Sequence, residues 1–455
     1  MGRARINYRR PIYEMGPRTR TQGGLRRPPS MWLWGCGFLA GLGCIGAFVV
    51  MLVAVPIGFR LLSPENQIRI ANRLPIMRMF IPTREVAALP TLDAAKATDA
   101  ARFFSTPTSA AGRAATATPT LFPTATFEPL PDTFRVKNAK WIAQKWNNCG
   151  PANLAQALNV INVPTTQEAA AAWLKPDAND SNVSPWQLVT FTQQFTAARA
   201  LHRINGDIML LKRLVYNGFG VVIETGYSDR EDGQWEGHYL TVIGWNDGNG
   251  YLLGLDTLYN SDDPLGYHEP YADLLQRWQH FNYTYIVVYR PEQESRLREI
   301  LGTAWDAQRN IDEALIRSLN EVQQQRENPF AWFNLGTNYT LVGRYSEAVN
   351  AYNLARTVGG GWPWRMLWYQ FGPYMAYYQT GDYQTVINLT INTETNTKTI
   401  EETYYYRAFA YAATGALQQA MDELNRALTH NSNFTAAQQA INQLRNGQKP
   451  APELQ

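Results

Sequence analysis

Cys149 stands in the stretch WNNCGPANLAQALNVI, where apolar residues recur with helical spacing directly after the cysteine. A thiol becomes a good nucleophile only as its thiolate, and both a helix N-terminus and a nearby imidazole favour that form. Gly150-Pro151 follows Cys149, and Pro suits the first helical turn. The other two cysteines, Cys36 and Cys44, lie in a long apolar run, so the rest of the chain cannot form an internal disulfide. A base must come from His202, His238, His268, His280 or His430. His238 opens a strand-like run, HYLTVIGW, which meets a turn, NDGNG, and a returning strand, YLLGLD, that ends at Asp256. The midpoint of 238 and 256 falls inside the turn. Antiparallel pairing therefore predicts Asp256 almost opposite His238, within about one residue of register. A carboxylate there orients the ring and fixes its tautomer, giving a nucleophile, a base and an orienting acid with separate roles.

Each residue also has a plainer reading. A free cysteine is among the most buried residue types, a histidine at a strand start can be structural, and Asp is common in turns. The polar Asn147-Asn148 and the Gly-Pro around Cys149 suit a helix entrance better than a core. Asp247, in NDGNG, reads as turn chemistry, and the remaining four histidines read as surface or structural. No histidine pair has helical spacing and no second cysteine can join Cys149, so neither a metal nor a cofactor is expected. The net charge of +3 gives no global signal for nucleic acid.

The elements that must position these residues occupy one part of a chain of 455 residues, too long for a single core. Residues 134–291 read as a mixed α+β domain whose strands include GVVIETGY, HYLTVIGW and YTYIVVYR. Strand patterns then end and a repeat appears over 295–434. Gly302 and Gly336, Trp305 and Tyr339, and Ala314 and Ala348 are each 34 residues apart. Trp332, Leu335, Gly336, Tyr339, Gly343, Tyr345, Ala348, Tyr352 and Ala355 resemble a tetratricopeptide repeat position by position. Ala408, Tyr411, Gly415, Leu417, Ala420, Leu424 and Ala427 mark another unit. The expectation is an all-α solenoid whose concave face takes a protein partner, closed over 435–455 by a polar capping helix and tail. The aromatic run from Trp362 to Tyr378 reads first as interior of this stack and second as a peptide-binding wall.

The first thirty residues form a basic tail with eight arginines and a single acid, Glu14. Residues 31–59 carry no charge and exceed the ~20 apolar residues that span a bilayer. They read as one transmembrane helix. Five arginines over 60–89 against eight before the run orient the N-terminus to the cytoplasm and the rest outside the cytoplasmic membrane. Residues 60–133 read as a juxtamembrane segment and a Thr/Pro/Ala-rich stalk.

QKWNNCGPANLA, GHYLTVIGW and LDT together resemble the C39-like cysteine peptidases, a papain-like clan, over roughly residues 134 to 291. The resemblance implies a papain-like fold with Cys149 as nucleophile, His238 as general base and Asp256 as orienting acid. It also implies a glutamine upstream that donates to the oxyanion. Gln144 lies five residues before Cys149 where the family commonly places it six before, and Asn147 or Asn148 stays open as the donor. The function expected is hydrolysis of peptide or amide bonds in a peptide or protein substrate. The alternatives are an amidase or acyltransferase acting on non-protein amides, and an inactive membrane scaffold.

Overall fold

The computed structural model describes residues 127–228, 234–258 and 266–454, with scattered positions between 55 and 77. The basic tail, nearly all of the expected membrane segment and most of the expected stalk lie outside the described residues. Among the described residues no helix is long and apolar enough to cross a membrane. The chain divides into two compact units, Met1–Thr83 and Arg84–Gln455. In the first, Phe59 and Met77 are buried against Ile70.

The second unit begins with a seven-stranded antiparallel sheet. Its strands are β1 (Thr133–Arg135), β2 (Arg199–Arg203), β3 (Gly220–Ser228), β4 (Trp235–Asn246), β5 (Tyr251–Asp256), β6 (Tyr267–Pro270) and β7 (Tyr285–Tyr289). The order across it is β2-β7-β3-β4-β5-β6, with β1 added beside the far end of β4. Helices cover both faces, which is why β7 reads as an unbroken apolar run, YIVVY, and β3 opens on one, GVVI, rather than alternating. Val222, Tyr239, Ile286 and Val288 meet α1 (Cys149–Val160), α2 (Gln167–Leu174) and α3 (Pro185–Phe195) on one face. Their strand neighbours Val221, Ile223, Leu240 and Val287 meet α4 (Ile208–Tyr216) and α5 (Tyr271–Gln279) on the other. A further helix, α6 (Glu294–Leu301), seats Leu297, Ile300 and Leu301 in that second core. The α+β body therefore runs past residue 291.

Helices follow from there: α7 (Ala307–Gln324), α8 (Pro329–Leu341), α9 (Tyr345–Thr357), α10 (Gly372–Gln379), α11 (Tyr383–Asn396), α12 (Glu401–Ala413), α13 (Leu417–His430) and α14 (Thr435–Arg445). The turns from α8 to α9, α10 to α11 and α12 to α13 share one construction. Gly343, Gly381 and Gly415 each adopt a left-handed φ of 75°, 80° and 85°. In each turn the two N–H groups at and after the glycine close back on the preceding helix, a Schellman-type stop that only glycine enters cheaply. At Gly336 a side chain is barred: a Cβ there would lie 2.7 Å from the Tyr352 ring on the facing helix.

The helical array and the α+β body share a core. Trp235 and Phe281 are buried in the same cluster as Trp332, Phe333 and Tyr352. Asn334 donates to the Gln279 carbonyl at 2.7 Å, Gln370 to the His280 carbonyl at 2.9 Å, and Trp364 to Gln234 at 3.1 Å. Further along, Gln187 donates to Glu401, Ser184 to Glu402, and His430 pairs with Asp177.

Candidate active site

Cys149 is the first residue of α1, half-buried and a free thiol. Its preceding residues arrive through Asn147 in a left-handed conformation, φ 52°. Lys175, buried at the end of α2, fixes this approach. Its ammonium donates to the carbonyls of Asp180 at 2.7 Å and Asn147 at 3.1 Å, with that of Trp146 at 3.5 Å. Burial pulls the Lys175 ammonium down, while Asp180 and the Cys149 sulfur hold it up. A cation thus stands within electrostatic reach of the sulfur. No motif marked Lys175, since its role depends on carbonyls that no side-chain pattern reveals.

His238 is buried on β4 between two partners. Its Nε2 lies 3.0 Å from Asp256 Oδ1, and the ring is hydrogen-bonded to the Cys149 thiol. With Nε2 committed to the carboxylate, Nδ1 is the nitrogen left for sulfur. Burial pulls the imidazolium down, but the Asp256 carboxylate, the bond to it and the Cys149 sulfur outweigh burial and hold the group up at about 10. The ring of Tyr227, from β3, meets the imidazole edge-on at 5.7 Å. This wall was invisible in the sequence because it comes from a strand with no motif.

The expected register of His238 and Asp256 needs correction. Asp256 pairs with Leu240, two residues beyond His238. The turn at 247–250 has four residues, and a bulge between Val242 and Gly244 shifts the ladder by one. The two groups still meet because β5 stops at Asp256, and its side chain reaches diagonally to the ring. Asp256 Oδ1 also accepts the Leu258 N–H at 2.8 Å, which holds the carboxylate in place. The rival Asp247 is bound to Lys212 and Tyr271 at the turn.

Gln144 is placed by Thr257, the residue after Asp256. Its backbone N–H donates to the Thr257 carbonyl at 3.0 Å, and its Oε1 accepts the Thr257 hydroxyl at 2.7 Å. With its oxygen so fixed, the Gln144 amide presents its NH2 as the free end. The two asparagines are engaged elsewhere: Asn147 donates to the Asn179 carbonyl at 3.2 Å, and the Asn148 amide lies 3.4 Å from Gln167 Oε1.

A buried polar seam ties the helix to the sheet beneath these groups. Asn153, on α1, donates to the carbonyls of Cys149 at 2.9 Å and Tyr239 at 2.8 Å, and its Oδ1 accepts from Thr241 at 2.7 Å. It also donates to Thr257 at 3.3 Å. One side chain thus links the nucleophile's turn, the residue after His238 and the residue that orients Gln144. Glu224 lies on the same face. The Tyr239 hydroxyl lies 2.8 Å from the Val183 carbonyl and is also hydrogen-bonded to Glu224. Burial, with the Cys149 sulfur pushing the same way, raises Glu224 well above the carboxylate range.

Among the described residues no group of three or more His, Cys, Asp or Glu side chains is placed to hold a metal ion. His280 is buried and stacked on Phe330 at 3.6 Å, and His268 stacks on Tyr251. A thiol, an imidazole and a carboxylate are therefore aligned in one chain of contacts, with Gln144 held by the residue after the carboxylate.

Residues 136–286 match the family model described as the Peptidase_C39 like family. A crystal structure described as a C39-like peptidase from Bacillus anthracis is 16% identical, with a TM-score of 0.29, the alignment covering 35% of this chain and 98% of that chain. No curated protein matches the chain. Residues 136–286 carry a C39-like peptidase domain.

Proposed function

We propose that the chain is a cysteine peptidase that cleaves peptide or amide bonds through Cys149, His238 and Asp256. The observation that carries this reading is the imidazole bonded on one side to the Cys149 thiol and on the other to Asp256 at 3.0 Å. His238 takes the thiol proton, and the sulfur attacks the carbonyl carbon as thiolate. The Gln144 amide and the Cys149 backbone N–H receive the oxyanion. His238 then gives its proton to the departing amine, leaving a thioester. A water, deprotonated by His238, adds to the thioester, and its collapse returns the thiolate.

In this reading residues 31–59 anchor the chain with its N-terminus in the cytoplasm, and the stalk holds the catalytic unit outside the membrane. The helices after residue 306 form a tetratricopeptide-type module. Asn334, Glu401 and Glu402 of that module already face the α+β body. The concave face of that module would take a protein partner. An amidase or acyltransferase would use the same groups, and substrate profiling separates it. The inactive-scaffold alternative drew on the spacing of Gln144, and the two bonds to Thr257 weaken it.

The test is the rate of Cys149 alkylation together with proteome cleavage by the parent and Cys149→Ala. The reading requires alkylation faster than a free peptide cysteine, and cleavage products absent from Cys149→Ala. Alkylation at the free-peptide rate, or identical product sets, would end it.

A further inference from the structure

Tyr369 comes from the segment between α9 and α10 of the helical array, outside the family match, which ends at residue 286; what brings it to the thiol site is Gly237. Gly237 immediately precedes His238, and a Cβ there would lie 3.0 Å from Tyr369 Cε1. The Tyr369 hydroxyl is hydrogen-bonded to the Gly237 backbone, on the stretch of β4 past its last pair with β5. Trp235 and Phe281 hold the ring edge-on, each at 5.8 Å. Burial raises the Tyr369 phenol, and Glu236 and the Cys149 sulfur add to this, so the ring stands within electrostatic reach of the nucleophile. The residue is nonetheless only partly buried.

We propose that Tyr369 is a specificity-determining residue of the thiol site, a wall lent by the helical array against which the substrate side chain beside the scissile amide packs. The proposal rests on the peptidase reading and names its selectivity: small or flat side chains are admitted at that position, and bulky branched ones are rejected. An aromatic face tied down at its hydroxyl cannot swing aside as a free side chain does, so the limit is steric and firm.

The experiment uses the full chain and follows Cys149 modification by peptide mapping with two reagents, small iodoacetamide and bulky N-(1-pyrenyl)maleimide. Tyr369→Ala is expected to speed the pyrenyl reagent roughly tenfold or more and iodoacetamide by less than about twofold. Tyr369→Phe keeps the ring but loses its bond to the Gly237 backbone, so it should show the same shift as the alanine variant in smaller measure. Tyr369→Leu keeps apolar bulk at the interface and should show the same shift in smaller measure, which covers poor folding of the alanine variant. Gln370→Ala, which loosens the same interface by removing the bond to the His280 carbonyl, should leave the reagent ratio unchanged. On a peptide library, Tyr369→Ala should reorder the preferred residues beside the cleaved bond, with KM moving more than kcat. An unchanged ratio in both Tyr369→Ala and Tyr369→Leu, or an equal shift in Gln370→Ala, overturns the proposal. If parent Cys149 reacts with iodoacetamide no faster than a free peptide cysteine, the peptidase reading fails, while the reagent ratio still decides whether Tyr369 walls the sulfur.

Discussion

His238 has to hold a proton at neutral pH, face a sulfur and keep one tautomer, and a single carboxylate serves all three needs. Removing it should show in the pH profile. In the parent, kcat/KM should fall as pH rises toward about 10, where the imidazolium that protonates the leaving amine is lost. In Asp256→Asn only burial and the sulfur act on the ring, so the alkaline limb should move to lower pH, with kcat down roughly a hundred- to ten-thousandfold. A limb that stays in place would show that Asp256 does not set the proton affinity of His238. The same shift bears on folding: a group raised from 6.5 to about 10 adds stability that is complete below 6.5 and is lost as pH climbs to about 10. Gln144 gives a second residue-scale prediction. Gln144→Ala should lower kcat roughly a hundred- to a thousandfold with KM little changed, because the oxyanion exists only after attack. Asn147→Ala, whose amide is spent on the Asn179 carbonyl, should leave kcat near the parent value. Equal losses in the two variants would remove Gln144 from its proposed role.

At the scale of elements, the parts legible in sequence are those fixed by neighbours in the chain. The helix opening at Cys149 was readable from Gly150-Pro151 and the apolar spacing, and the β4–β5 hairpin from NDGNG between two apolar runs. The bulge between Val242 and Gly244 was not, because a one-residue slip leaves no mark when both faces of a strand are buried. Still less legible were contacts closed by the tertiary fold. Glu402, at the start of α12, accepts from Ser184 across 218 residues of chain. It is buried with Glu401 and Asp180, and Lys175 is the cation among them. Burial first, then Glu401 and Asp180, push the Glu402 carboxyl well above its ordinary 4.5. A carboxyl raised on folding binds its proton in the native state, so stability falls as pH rises from 4.5. Glu402→Gln keeps an acceptor for Ser184 and removes that loss. The variant should melt with the parent near pH 4 and a few degrees above it at pH 7. Melting curves that stay parallel from acid to neutral pH would mean that Glu402 carries its charge in the folded protein.

For the whole molecule, the decisive fact is that the α+β body and the helices share one buried aromatic cluster. Sequence texture divides the chain at about residue 291, where strands give way to a 34-residue period, and texture reports local structure faithfully. It cannot report that Trp235 of β4 and Phe281 lie in one buried cluster with Trp332, Phe333 and Tyr352, or that α6 closes the core of the sheet. Separating the two parts would expose both aromatic rings, strand the His280 carbonyl, now bonded by Gln370, and take the Asn334 amide from the Gln279 carbonyl it donates to. Burying a large apolar side chain is worth about 1.5–3 kcal/mol, and a buried polar group left without its partner costs roughly 1–3 kcal/mol. Several such terms compare with the whole stability of a domain, which is about 5–15 kcal/mol. Residues 127–454 should therefore unfold in one calorimetric transition, with calorimetric and van't Hoff enthalpies in agreement. A chain ending at residue 306 should melt lower or aggregate, even though it keeps the thiol, the imidazole and the carboxylate. Two resolved transitions, with the first matching the helices alone, would show that the shared core is too weak to join the parts, and the array could then leave the thiol site without unfolding.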